Sequence, residues 1–148
     1  MAISRILVPI DYSEPSRAAL EYAGRLARGL GASLEVVHVW DKPNFVPEDV
    51  MVGDPPRPLA ALIAHNAQHE MDEFIARVVV PEGVQCSCHL ISGEPASACL
   101  ERIAAGGYDL VVVGTHGRSG VRHLLLGSVA ERLVRLSDVP ILTVPSST

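Results

Sequence analysis

Residues 109–133 read DLVVVGTHGRSGVRHLLLGSVAERL. Leu110–Val113 is a short, wholly apolar run, the pattern of a strand covered on both faces. Ser128–Leu136 has helical spacing. Between them lies GTHGRSGVRHLLLGS, residues 114–128, with four glycines, two arginines, two histidines and three leucines in a row. A strand that feeds a helix through a glycine-rich loop is a building unit of α/β proteins, so the rest of the chain should repeat the alternation.

It does. Arg5–Ile10 (RILVPI) reads as a strand that is almost continuously apolar. Ser13 is an N-cap candidate, with Pro15 in the first turn that follows. Ala19, Tyr22, Ala23, Leu26, Ala27 and Leu30 recur at helical spacing, and Gly31 ends the helix. Ser33–Trp40 is a second strand. Residues 41–58 form a long polar loop with five prolines. Leu59–Val78 is predicted helical, with Leu59, Leu62, Ile63, Ala67, Met71, Phe74, Ile75 and Val78 on its buried side. Val84–Ile91 is a strand of mixed alternation, and Glu94–Ala105 a helix. Asp109–Val113, Ser128–Leu136 and the strand Pro140–Val144 complete the order βαβαβαβαβ. Strict alternation implies a parallel sheet with helices on both faces, joined by right-handed crossovers.

The bulk numbers agree with a globular protein. A chain of 148 residues, 48% hydrophobic and 20% charged, suggests one domain spanning 1–148 with a sizeable core. The net charge of −5 gives no electrostatic footprint for nucleic acid. No apolar run approaches the roughly 18 residues needed to span a membrane, and the N-terminus lacks a secretory pattern. A cytoplasmic location is the expectation. Three cysteines, Cys86, Cys88 and Cys99, form no complete disulfide framework. Cys86 and Cys88 would share one face of a strand, too close along the chain for an unstrained bridge, and all three read most simply as small buried hydrophobes.

In open α/β sheets, ligands bind beyond the carboxyl ends of the strands where the strand order reverses. Orders 2-1-3-4-5 and 3-2-1-4-5 both open that crevice beside the first strand, and in the second order the fourth strand faces it. Pro9, Ile10 and Asp11 close the first strand; Val113 and Gly114 close the fourth. Glycine permits positive φ and close approach of a ligand to the main chain. Gly127-Ser128 opens a helix whose N–H groups and dipole favour an anion, and His116, Arg118, Arg122 and His123 add donors. A phosphate chain suits this loop, and Asp11 suits ribose hydroxyls or a metal carried by phosphates. A plainer reading stands beside it. Ser128-Val129-Ala130-Glu131 has the S-x-x-E form of a capping box, so that Ser128 caps its own helix and the glycines merely shape a turn. The loop matches neither the P-loop nor the dinucleotide fingerprint.

Other clusters are weaker. His65, His69 and Glu73 share a helix face, but HNAQHE lacks the H-E-x-x-H glutamate, which favours a solvated face. His38, inside the second strand, reads as a hydrogen-bonded core or site-lining histidine. Asp11, Ser13, His116 and Arg118 offer parts of a hydrolase, yet nothing resembles an activated nucleophile with its base.

The spacing G-x2-G-x9-G-[ST], met by Gly114, Gly117, Gly127 and Ser128, resembles the ATP-binding branch of the universal stress protein family. The resemblance extends over nearly the whole chain through RILVPIDYSEPSRAAL, LEVVHVWD, DLVVVGTHGRSGVRHLLLGSVAERL and VPILTV; residues 41–70 match only loosely. It implies a Rossmann-like fold of the adenine nucleotide alpha hydrolase type, an open five-stranded parallel sheet of order 3-2-1-4-5. It further implies that Asp11 meets the ribose, that the backbone at Val39 holds adenine, and that Val113 and Gly114 line base and ribose. Gly117, Arg118, Gly127, Ser128 and Val129 would surround the phosphates. The expected ATP-binding set is therefore Pro9, Ile10, Asp11, Ser13, Val39, Val113, Gly114, His116, Gly117, Arg118, Gly127, Ser128 and Val129, with no catalytic residue assigned. Mg2+ would arrive with ATP; its protein ligand is left unassigned, with Asp11 the candidate. The resemblance implies a homodimer through Pro140–Val144, an apolar edge that would otherwise invite uncontrolled pairing. The function so implied is a nucleotide-responsive stress-response module acting on a protein partner. The alternatives are a slow ATP hydrolase or phosphotransferase using the same pocket, and an interaction protein whose site is unused.

Overall fold

The structure, a computed structural model, describes residues 1–43, 45–116 and 126–146. Its central sheet has five parallel strands: β1 (Arg5–Ile10), β2 (Ser33–Trp40), β5 (Cys86–Ser92), β6 (Leu110–Gly114) and β7 (Ile141–Val144). Their spatial order is β5-β2-β1-β6-β7. Counting only these strands, that is the expected 3-2-1-4-5, with the reversal between β1 and β6.

Alternate residues of the strands face two separate cores. On one side Ile6, Val8, Ile10, Leu34, Val36, Leu110 and Val112 pack against helix α1 (Glu14–Leu30) and against Met71 of helix α2 (Leu59–Ala76). On the other, Leu7, Val37, Val111 and Val113 pack against Cys99 and Ile103 of helix α3 (Pro95–Ala105) and Ala130 and Leu133 of helix α4 (Ser128–Leu136). Being covered on both faces is why β1 and β6 read as nearly continuous apolar runs.

Several boundaries and burial assignments differ from the sequence reading. The loop 41–58 contains a small antiparallel hairpin, β3 (Met51–Val52) with β4 (Arg57–Pro58). Strands two residues long leave no periodicity to read. On α1 the buried stripe is Ser16, Ala19, Leu20, Ala23, Gly24 and Ala27, whereas Tyr22 and Leu30 are exposed. Small residues at these positions let the helix lie close on the sheet, and the bulkier Tyr22 and Leu30 fall outside its contact stripe. Helix α2 stops at Ala76, before the β-branched run Val78–Val80, and only Met71 of its predicted face is fully buried. It packs at the rim, beside edge strand β5, so the remainder of its apolar stripe is half-covered. Cys86 is exposed and Cys88 half-buried; only Cys99 is a buried hydrophobe. Among the described residues, no helix is long and apolar enough to cross a membrane.

The amino end of the sheet is closed by a polar cluster around Glu35, which is 4% exposed. Its carboxylate accepts hydrogen bonds from Tyr108 Oη at 2.7 Å, Arg102 Nε at 2.6 Å and Arg5 Nη2 at 2.6 Å. Burial alone would raise its pKa; the bonds from Tyr108, Arg102 and Arg5 overcome this and bring it down to about 2. Beside it, Asp109 accepts from the backbone N–H groups of Ser4 at 2.9 Å and Arg5 at 3.0 Å. These bonds tie β1, β2, α3 and the entry to β6 together.

Candidate functional site: a crevice at the carboxyl end of the sheet

At the opposite end, a cavity of about 350 Å³ opens where the strand order reverses. Pro9, Ile10 and Asp11 of the β1 end, Val37–Val39 of β2, and Val113, Gly114 and His116 at and beyond the β6 end form its walls. Pro95 and Cys99 of α3 and Gly127–Ala130 at the start of α4 complete it. One side is apolar, with Val37, Val39, Pro95, Cys99 and Val113; the other carries Asp11, His116 and the first turn of α4. Such an asymmetric pocket suits a ligand with a flat apolar part and a polar tail.

Asp11 is fixed by the turn that follows it. Its Oδ1 accepts from the backbone N–H of Ser13 at 3.0 Å and from the Ser13 hydroxyl. Ser13 Oγ in turn accepts from the N–H of Ser16 at 3.3 Å and so caps α1. Ser13 therefore holds the aspartate and the helix, and it is Ser16, not Ser13, that reaches the cavity wall. Tyr12, between Asp11 and Ser13, sits at φ 64°, a left-handed conformation unusual for an aromatic residue. Its ring lies 4.1 Å from that of His38 and 5.2 Å from that of Phe74, centroid to centroid. His38 Nδ1 lies 2.8 Å from the carbonyl oxygen of Ile10. A carbonyl only accepts, so Nδ1 carries the proton in this contact. The sheet and α2 thus clamp the turn that presents Asp11.

Three helices begin at the cavity, and their first turns differ. The start of α1 is capped by Ser13. That of α3 is capped by Glu94, whose carboxylate accepts from the N–H groups of Ala96 at 3.3 Å and Ser97 at 2.9 Å. The bonds from Ser97 lead in holding Glu94 at a pKa of about 2, with Arg132 of α4 contributing. Arg132 Nη1 lies 2.8 Å from Glu94 Oε2 and ties the two helices together. The start of α4 has no side-chain cap. Its N-cap is Gly127, whose N–H donates to the Thr115 carbonyl at 2.6 Å. The first helical hydrogen bond is Glu131 N–H to Gly127 O at 2.9 Å, so the N–H groups of Ser128, Val129 and Ala130 precede the ladder at the cavity.

This corrects the capping-box expectation. Ser128 is the first helical residue rather than the cap, and Glu131 turns to Arg135, 3.0 Å away. The expected role of the glycines is corrected as well. Gly127 lies at φ −68°, ψ 162°, where any residue fits. Gly114 is a strand residue whose absent Cβ would lie 2.8 Å from the carbonyl oxygen of Pro15. What approaches it closely is the first turn of α1, not open space for a ligand. Among the described residues at the site, the positive φ is at Tyr12; Gly117 and Gly120 lie outside the described residues.

The structure thus brings Pro9, Ile10, Asp11, Val39, Val113, Gly114, His116, Gly127, Ser128 and Val129 to one cavity. Gly117 and Arg118 lie outside the described residues, as do Arg122, His123, Leu124 and Leu125. Leu126 packs with Val113, Ala130 and Leu133 in the second core. Pro95 and Cys99 were not anticipated; the signal was the buried face of α3, whose Cys99 and Ile103 enter the same core as Ala130 and Leu133 of α4. His65 and His69 stack with centroids 6.5 Å apart, and His69 Nε2 lies 3.3 Å from Glu73 Oε1, all exposed. Among the described residues no group of three or more metal-ligating side chains converges.

Known proteins resemble this chain in sequence and in fold. The family model for the universal stress protein family matches residues 2–145. Universal stress protein MJ0531 of Methanocaldococcus jannaschii is 32% identical over 143 residues, covering 95% of this chain and 81% of that protein. The solved structure of MJ0577 from the same organism superposes with a TM-score of 0.76 at 22% identity, over 100% of this chain and 99% of that one. A universal stress protein solved in complex with cAMP has a TM-score of 0.66 at 25% identity, over 99% of this chain and 100% of that one. Fold, strand order and sequence converge, and the chain belongs to the universal stress protein family.

Proposed function

We propose that the crevice binds an adenine nucleotide, with Mg·ATP as its ligand, and that occupancy regulates the binding of a protein partner. The observation that carries this reading is the start of α4. Of the three helices beginning at the cavity, two have first-turn N–H groups satisfied by a capping side chain, and among the described residues α4 has no side-chain cap. An anion there gains both the N–H donors and the helix dipole. The phosphates sit on Ser128–Ala130, Asp11 meets the ribose or the Mg2+, and the base lies against Val37, Val39 and Val113. The structure of a relative bound to cAMP supports an adenine nucleotide as the class of ligand. With the nucleotide acting as a regulatory ligand, turnover is expected below about 1 s⁻¹, the lower end of ordinary enzyme rates.

The test is thermal unfolding with and without Mg·ATP. At 100 times its dissociation constant, a native-state ligand stabilises by about 2.7 kcal/mol, or roughly 5–10 °C for this chain length. Wild type should shift by that amount and Gly127→Val should not. No shift at millimolar ATP would sink the reading. ATP turnover well above about 1 s⁻¹ would replace the regulatory role with the hydrolase one.

The same reading includes a homodimer through β7. Ile141, Leu142 and Thr143 of this edge strand are half-buried, and Val134 and Leu136 of the adjoining α4 are each 49% exposed. Sedimentation should show a dimer that Val134→Lys weakens; a monomer at all concentrations would remove this part.

A further inference from the structure

Cys86 and Cys88 lie two residues apart on β5 and so on the same face, the face toward α2. They stand on an edge strand, in register with Leu34 and Val36 of β2. Cys86 is exposed and Cys88 half-buried, so solvent reaches the pair. Each sulfur can swing toward the other about its Cα–Cβ bond, within the reach that side chains at i and i+2 of one strand allow. The charged group facing them from α2 is Asp72, whose Oδ1 accepts from Gln68 Nε2 at 2.9 Å.

Two proximate thiols can close a disulfide or hold an ion, and the strand geometry decides between them. Side chains at i and i+2 of a strand start about 6.6 Å apart. A disulfide needs its Cβ atoms at about 3.8 Å, which this backbone forbids without moving. An ion about 2.3 Å from each sulfur spans a gap of up to about 4.6 Å. Zinc would require further donors, yet among the described residues no third metal-ligating side chain joins the pair. A soft cation satisfied by two thiolates has no such need.

We propose that Cys86 and Cys88 form a two-thiolate site for a soft monovalent cation of the Cu(I) class. Binding forms two S–Cu bonds and releases the thiol protons to solvent, with no change in oxidation state. The complex carries one negative charge, so Asp72 opposes it by like-charge repulsion and is not a ligand. The site is on the α2 side of the far edge strand, away from the nucleotide crevice, and does not depend on the nucleotide reading.

The experiment is anaerobic competition for Cu(I) between the reduced protein and a chromogenic Cu(I) chelator. Wild type should retain one copper per chain. Cys86→Ser and Cys88→Ser should each weaken retention at least tenfold, while Asp72→Asn should tighten it. A measurement without variants accompanies this: one equivalent of Cu(I) should protect Cys86 and Cys88 together from iodoacetamide. Cys99, whose thiol burial pushes up to about 12, stays unmodified throughout. The proposal is overturned by equal retention in wild type and both serine variants, by one copper per two chains, or by alkylation of the pair despite copper. Loss of affinity in Asp72→Asn would also overturn it, because the carboxylate would then be a ligand.

Discussion

The two ends of the parallel sheet are built on opposite plans. At the amino end the Glu35 carboxylate is surrounded by Tyr108, Arg102 and Arg5, and Asp109 takes the N–H groups of Ser4 and Arg5. At the carboxyl end a 350 Å³ cavity is bordered by a helix whose first N–H groups have no cap. The polar groups at the first end are satisfied by one another, whereas among the described residues no side chain caps α4 at the second. If the proposed nucleotide binds there, stability and binding are separated along one axis, and each can be altered with little effect on the other.

The largest effect should come from breaking the closed end. Glu35→Ala removes three hydrogen bonds to a charged group and leaves Arg102 and Arg5 facing a buried gap. It should cost about 2–3 kcal/mol, read as a fall of roughly 5–10 °C in melting temperature. Nucleotide affinity, measured by calorimetry below the melting range, should change less than twofold. A large loss of affinity would show that the two ends are coupled.

The same cluster predicts a pH dependence. The pKa of Glu35 is about 2 in the folded protein, against roughly 4.3 in an unfolded chain. A depressed folded value gives stability that is complete above the unfolded pKa and is lost as pH falls toward the folded one. Urea midpoints should therefore decline from about pH 5 to about pH 2, and less steeply in Glu35→Gln. Equal slopes in both proteins would assign the decline to other carboxylates, such as Glu94, also held at about 2.

Gly114→Ala tests the frame of the open end. The new Cβ would meet the Pro15 carbonyl oxygen at 2.8 Å, and overpacking of this kind costs roughly 1–3 kcal/mol. The loss should appear in urea unfolding without nucleotide. An unchanged midpoint would mean that β6 and α1 separate freely.

The smallest change in stability sharpens the contrast most. Gly127→Asp gives α4 the acidic cap that Glu94 gives α3, at a backbone conformation open to any residue. It should raise stability by a few tenths of a kcal/mol and weaken nucleotide binding at least tenfold. Unaltered affinity would show that the first turn of α4 takes no phosphate.

How far the sequence discloses this arrangement depends on the kind of signal. The nearly continuous apolar runs of β1 and β6 reveal strands covered on both faces, and strict alternation with helices reveals a parallel sheet. Helix α1 is legible through Pro15 and Gly31, but the order of its contacts is not: Leu20 and Gly24 are buried while Tyr22 is exposed, a choice made by small residues at the sheet. The β3–β4 hairpin is too short to carry a period. In the crevice, Asp11 and the loop after β6 announce themselves by composition. The status of each helix cap does not, because Ser128 and Glu131 satisfy the capping pattern while the structure places Gly127 at the cap. Tyr12 is illegible for a different reason. Its positive φ accompanies ring contacts with His38 and Phe74, residues brought in from β2 and α2.

The strand order has a consequence for the protein's synthesis. β1 lies in the middle of the sheet and pairs with β2 on one side, but its other neighbour, β6, begins about a hundred residues later at Leu110. A ribosome therefore releases β1, α1, β2 and β5 well before anything can occupy the far flank of β1. Until β6 and α4 emerge, that flank is an unpaired apolar edge, and the crevice has only one wall. Contacts this distant along the chain form late, so a growing chain has no complete crevice with which to capture a ligand. Both walls of the crevice are present only once β6 and the start of α4 have been made.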